Sequence, residues 1–181
     1  MARARLGPVL ALAGVLLVPM TSPAAGPAPR AGVPATALEA WSDGATLRLD
    51  YDHAGMAGEA VFALSGLRRE GPWPGSRVNL VDPLDLGPYR VEVRDRATHL
   101  VLYARGFASI YGEWETTAEA RTLRRSYHES VRFPFPTRPV QVCLLKRAPD
   151  NSFREVAAFP VDPASQDVRR EPPAATGPAV D

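Results

Sequence analysis

The sequence predicts an all-β fold, a single antiparallel β-sandwich of about seven or more strands. Three observations carry this. Apolar residues recur at every second position, clusters of Gly, Pro, Asp and Asn punctuate the chain at short intervals, and no stretch sustains a helical apolar stripe. Successive side chains on a strand point to opposite faces, so a half-buried strand shows a period of two.

In Ala45 to Tyr51, Leu47, Leu49 and Tyr51 share one face while Thr46, Arg48 and Asp50 take the other. Glu59 to Leu64 follows as the next candidate. In Tyr89 to Arg94, Tyr89, Val91 and Val93 oppose Arg90, Glu92 and Arg94. Leu100 to Arg105, Arg125 to Phe133, Val140 to Arg147 and Phe153 to Val161 complete the set, separated by turn signals such as Asp82-Pro83, Gly87-Pro88 and Pro149-Asp150-Asn151. The one helix signal is Thr116-Thr117-Ala118-Glu119, in which Thr116 caps a turn and Glu119 reaches back to it.

Both ends differ in composition from this stretch. Arg3 and Arg5 precede the apolar run Leu6 to Val18, and small residues follow at Ser22, Ala24, Ala25 and Gly26, which predicts a secretory signal peptide over residues 1–25. The apolar run is short of the about 20 residues a membrane span needs. With no cysteine near the cleavage region, the expectation is an exported protein, periplasmic or secreted, and not a lipoprotein. Residues 26–37 form a Pro- and Ala-rich lead-in that has little to bury. Residues 164–181, with Arg169, Arg170, Glu171 and small residues, read as a disordered tail. The domain is expected over residues 38–163, about 125 residues, which is enough for one core.

Charge and cysteine content set further bounds. With 21 basic and 20 acidic residues the formal net charge is +1, so there is no electrostatic footprint for nucleic acid or an anionic membrane. Lys146 is the one lysine; a codon bias accounts for the excess of arginine more simply than carboxylate recognition does. Cys143 is the one cysteine, so no internal disulfide forms and stability rests on core burial. It falls on the face opposite Val142 and Leu144, where a second layer buries it or leaves it half exposed.

Catalytic constellations are not visible. The sequence has no His-Glu-x-x-His, no Gly-x-Ser-x-Gly, no Walker loop and no paired-cysteine zinc spacing, and nothing in the placement of His53, His99 and His128 brings them together as a metal site. His128 and Glu129 are adjacent on a strand and so point apart, which makes His128 a hydrogen-bonded strand residue, not half of an acid–base pair. No catalytic, cofactor or metal residue is assigned. Trp73 and Trp114 can stack on a sugar, but Trp residues among turn residues serve more often to anchor loops, so Trp73, Trp114, Arg105 and Phe107 are expected as structural anchors. Arg105 and Arg132 have Glu113, Glu119 and Glu129 as possible internal partners.

Several runs in order carry a resemblance. They are Pro72-Trp73-Pro74-Gly75-Ser76-Arg77, Asn79-Leu80-Val81-Asp82-Pro83, Gly87-Pro88-Tyr89, the continuous run from Tyr103 to Ala120, and His128-Glu129-Ser130-Val131-Arg132-Phe133-Pro134. Together they resemble the amino-terminal domain of the IgA-peptidase group, family sixty-four of the metallopeptidases, across nearly all of Leu47 to Pro163. The resemblance implies an Ig-like sandwich that in full-length relatives precedes a zinc-dependent peptidase domain with its own His-Glu-x-x-His motif. Here the sequence ends soon after Val161-Asp162-Pro163, so none of the family's zinc ligands is carried over. The expected function is a secreted, non-catalytic accessory or interaction domain that docks a metallopeptidase catalytic domain or a glycoprotein substrate. Two alternatives stand beside it: a carbohydrate- or glycoprotein-binding module, and one part of a split metallopeptidase. The segment Gly106 to Glu119 is the expected docking loop, with Tyr111, Glu113 and Glu119 as its contact residues.

Overall fold

The computed structural model describes residues 37–170; the expected signal peptide, the expected lead-in up to residue 36 and the expected tail from residue 171 lie outside the described residues. Eight strands are present: β1 (Ser42–Met56), β2 (Glu59–Pro72), β3 (Tyr89–Asp95), β4 (Val101–Phe107), β5 (Arg125–Pro136), β6 (Val140–Arg147), β7 (Phe153–Val161) and β8 (Val168–Arg170). They form two four-stranded sheets, ordered β5-β1-β2-β8 and β4-β3-β6-β7, and every pairing is antiparallel except that of β8 with β2. The all-β sandwich expected from the alternation is the observed architecture.

The seven predicted strands all form, and β1 and β2 run past their predicted bounds. The charged stretch Arg68-Arg69-Glu70 resembles solvent-facing turn sequence, yet cross-strand partners hold it in the sheet. Arg48 donates to Glu70 at 3.0 Å and Arg69 to Asp43 at 2.8 Å. The register between β1 and β2 shifts between Asp50 and Tyr51, which pair with Gly66 and Leu64. That irregularity lets β2 keep Leu67, Leu64 and Phe62 on the face shared with Leu49, Tyr51 and His53.

The core lies between the sheets. Leu47, Leu49, Tyr51 and Phe133 from the first sheet pack in one cluster with Val91, Val93, Val142, Leu144 and Val161 from the second. One end is closed by a 3-10 turn at Leu38–Ala40 that delivers Trp41, fully buried, whose carbonyl accepts a hydrogen bond from the Thr137 amide at 2.9 Å. Its burial is worth about 3 kcal/mol by area.

The expected tail from residue 164 is corrected in its first seven residues. Asp162 accepts the Ser165 amide on its carbonyl and the Ala164 amide on its side chain, so the chain turns back. Val168 then enters the core beside Leu67, only 2% exposed, and Leu67, Arg68 and Arg69 pair in parallel with Val168, Arg169 and Arg170. A three-residue strand has no periodicity to read, and its charged flank disguised it.

Replacing Val168 with alanine should therefore cost about 2 kcal/mol, whereas the same change at half-exposed Val156 should stay within about 0.5 kcal/mol. Urea denaturation with an unchanged m-value would check both; equal effects would show that the last strand contributes nothing to the fold.

Candidate functional site

The segment after β4 is seated on the end of the sandwich by its own side chains. Ser109 caps the single-turn helix α1 (Ile110–Trp114), its hydroxyl accepting a hydrogen bond from the Gly112 amide at 2.9 Å. The expected helix start at Thr116 is thus corrected. The helix begins six residues earlier at Ile110, and Thr116 donates its hydroxyl to the Glu113 carbonyl at 2.7 Å. Glu119 instead opens a separate 3-10 turn, Glu119–Arg121.

Beneath this loop lies a buried carboxylate. Glu129 of β5 is 8% exposed at its side chain and accepts the Tyr111 amide of α1 at 3.0 Å on one oxygen, with His53 Nδ1 of β1 at 3.2 Å from the other. The Tyr51 hydroxyl also hydrogen bonds to it. Burial pushes this carboxyl up, but the donors from His53, the Tyr111 amide and Tyr51 outweigh that and hold it below the usual carboxylate range. An ionised acceptor facing Nδ1 places the hydrogen on Nδ1. Burial, and then the Glu129 charge, push the Tyr51 phenol well above its ordinary value.

The His53 ring is itself enclosed. It stacks between Phe62 at 4.0 Å and Tyr111 at 3.8 Å between ring centroids, with Tyr89 edge-on at 5.7 Å, and it is fully buried. Nε2 has no hydrogen-bond partner. A His–Glu pair can act as a general base only where Nε2 reaches a substrate proton, and here Nε2 is buried away from solvent. The pair is a tie between strands. Sequence reasoning paired Glu129 with its neighbour His128, which points outward and lies 3.3 Å from Asp52, or with an arginine. The cross-strand pairing of β1 with β5, invisible in a linear sequence, is what brings His53 to Glu129.

Among the predicted contact residues, Tyr111 is a correction. It is fully buried, and its hydroxyl lies 2.8 Å from the Glu59 carbonyl and 3.0 Å from that of Met56. Gly55 makes this approach possible. At φ +148° its backbone suits glycine, and an added Cβ would come within 2.7 Å of the Tyr111 hydroxyl. Glu119 is part exposed but engaged, accepting from Trp114 Nε1 at 2.8 Å and from Arg125. Glu113 is exposed, and its carboxylate has no hydrogen-bond partner among the described residues.

The predicted anchors fall into two groups. Trp114 is 8% exposed and packs edge-on against Tyr111, while Phe107 is partly buried and stacks on Tyr89 at 5.7 Å. Trp73 is partly buried, edge-on to Tyr103, with its indole nitrogen donating to the Ser76 carbonyl at 3.0 Å. The Trp73 and Trp114 rings therefore form no flat exposed platform. Arg105 lies 3.7 Å from Asp82 and over the Tyr103 ring, and Arg132 donates to Glu70 at 2.9 Å, so neither takes the glutamates expected for it. The spatial order β5-β1-β2 is what sets Arg132 near Glu70.

Sequence reasoning missed Glu115. It binds Lys146 Nζ of β6 at 2.5 and 2.7 Å and accepts the Tyr89 hydroxyl at 3.2 Å, fastening the loop to the second sheet. Cys143 is fully buried under the outer-face pairs of Glu92, Arg94 and Glu155, and burial pushes its thiol up to about 12, which makes it unreactive. Among the described residues no group of three or more His, Cys, Asp or Glu is arranged to hold a metal ion, and no helix is long and apolar enough to cross a membrane.

Because Glu129 is more acidic folded than unfolded, the unfolded chain binds more protons as pH falls below about 4.5, and the stabilisation present above that pH is lost as pH drops through the folded value. Glu129→Gln should cost about 1.5–3 kcal/mol at neutral pH and flatten that acid limb in urea titrations; an unchanged limb would place the acid sensitivity elsewhere. Tyr111→Ala should cost about 3–5 kcal/mol and Glu113→Ala less than about 0.5 kcal/mol in the same measurement.

Comparison with known proteins gives this geometry its family. The family model for the peptidase M64 N-terminus matches residues 38–158. No curated protein matches the chain. The match covers both sheets up to the middle of β7, the seated loop and the Glu129 tie, and the chain belongs to the peptidase M64 N-terminus family.

Proposed function

We propose that this chain is an exported, non-catalytic accessory domain that holds a partner in place, the partner being a metallopeptidase catalytic domain or a glycoprotein substrate. The observation that carries the proposal is the enclosure of the His53–Glu129 pair. The buried acid–base pairing at the site is consumed in seating the loop, and its Nε2 is closed off from solvent. What the loop offers outward is a contact surface. Ile110 is 63% exposed beside the free carboxylate of Glu113, and Leu86, 65% exposed, lies on a segment whose backbone packs against Gly106. Exposed apolar residues rimmed by polar ones suit docking better than chemistry.

The mature chain, incubated with excess zinc, should cleave neither immunoglobulin nor casein. Chelator-sensitive cleavage that follows the protein through purification would overturn the non-catalytic reading. Ile110→Asp should weaken capture of a purified M64-family catalytic domain or of immunoglobulin by at least about tenfold while leaving the melting temperature unchanged. Capture that is indifferent to Ile110 would remove the loop from the interface.

A further inference from the structure

The first sheet is incomplete along one edge. β1 pairs with β2 over the whole of Glu59–Pro72, but β8 covers the other edge of β2 only opposite Leu67, Arg68 and Arg69. Among the described residues no strand pairs with that edge from Glu59 to Gly66. The other edges carry protection. β4 is covered by a segment that bonds through Leu80 and Asp82 to Ala104, β5 carries Arg132, Pro134 and Pro136, and β7 carries Arg154, Glu155 and Pro160. From Ala60 to Gly66 there is neither a charge nor a proline. Val61 is 63% and Leu64 43% exposed, and Ala60 and Ala63 are exposed beside them. An open backbone edge flanked by apolar side chains is a template for one more strand.

We infer that the occupant is a second copy of this chain, with β2 pairing antiparallel to β2 across a two-fold axis at Phe62, so that two four-stranded sheets become one. Length, face and charge all point to this register. The open stretch is bounded by the Ala57–Gly58 turn at one end and by β8 at the other. In the two-fold arrangement the incoming strand begins at its own Glu59 opposite Ser65 and stops short of β8. Residues directly opposite in an antiparallel pair must share a face. With the axis at Phe62, Ala60 meets Leu64 on the inner face and Val61 meets Ala63 on the outer one. The same register brings each Glu59, paired on its own chain with exposed Arg124, to Ser65 of the other copy, beside an outer-face groove in which Arg48, Arg68, His128 and Arg169 outnumber Asp50. A two-fold contact repeats each of these complementary meetings.

Sedimentation velocity of the mature chain from about 1 to 100 µM tests the interface, since a micromolar contact crosses its midpoint in that range. A concentration-dependent dimer is expected. Val61→Lys with Ala63→Lys sets lysine against lysine and should weaken the dimer at least about tenfold; Val61→Lys with Ala63→Glu sets lysine against glutamate and should restore it. Both positions are exposed, so circular dichroism melting should be unchanged in either variant. A monomer throughout, a dimer that survives the double lysine, or a dimer lost equally in both variants would overturn the proposal. So would amide exchange showing residues 60–65 protected in the monomer, which would mean that another segment of the chain already covers the edge.

Discussion

One ionised carboxylate, Glu129, holds together the end of the molecule that carries its loop. Three donors converge on it: an imidazole and a phenol from β1, and the backbone amide of Tyr111 from α1. A carboxylate this enclosed stays charged only when its oxygens are satisfied, so the donors cannot drift without a desolvation cost. Tyr111 is held at both ends, its amide on Glu129 and its hydroxyl on the β1–β2 hairpin at Glu59. Trp114 then packs on Tyr111, and Glu115 reaches Lys146 and Tyr89 in the second sheet. The loop is therefore a rigid connection between the sheets, and its outward residues are presented on a fixed base.

The arginines have a second role, over the outer faces of the strands. Arg48 bridges Asp50 and Glu70, and Arg132 shares Glu70; on the other sheet Arg90, Glu92, Arg94 and Glu155 form a continuous chain of pairs. Planar guanidinium forks suit such ladders, because each carboxylate can serve two neighbours. Part-exposed pairs contribute little individually, of order 0–1 kcal/mol. What they accomplish is coverage: they keep charge on the outer surface, shield Cys143, and protect edges that would otherwise attract another strand. The unprotected half of β2 stands out against that pattern.

Two adjoining parts of the molecule thus differ in kind. On one, a loop is fastened by buried polar bonds and shows apolar side chains at its tip. On the other, an edge is bare of charge and proline, with its inner-face residues Phe62 and Leu64 only partly covered. A loop suits a partner recognised by side chains, and an open edge suits one recognised by its backbone.

The sequence by itself determined the fold class and the seven long strands, because burial on one face writes a period of two that any linear reading recovers. It also placed Tyr111, Trp114 and Glu119 in one dense segment, Gly106 to Glu119, and Glu129 in a separate run. Only the tertiary structure decided what those residues do. His53 meets Glu129 across 76 residues of chain through a strand pairing, Tyr111 turns inward because Gly55 leaves room for it, and Val168 becomes a strand only against the edge of β2. Periodicity records which face a residue takes on its own strand. Partners across the core are set by strand order and register, which are properties of the assembled sheets and leave no local mark on the chain.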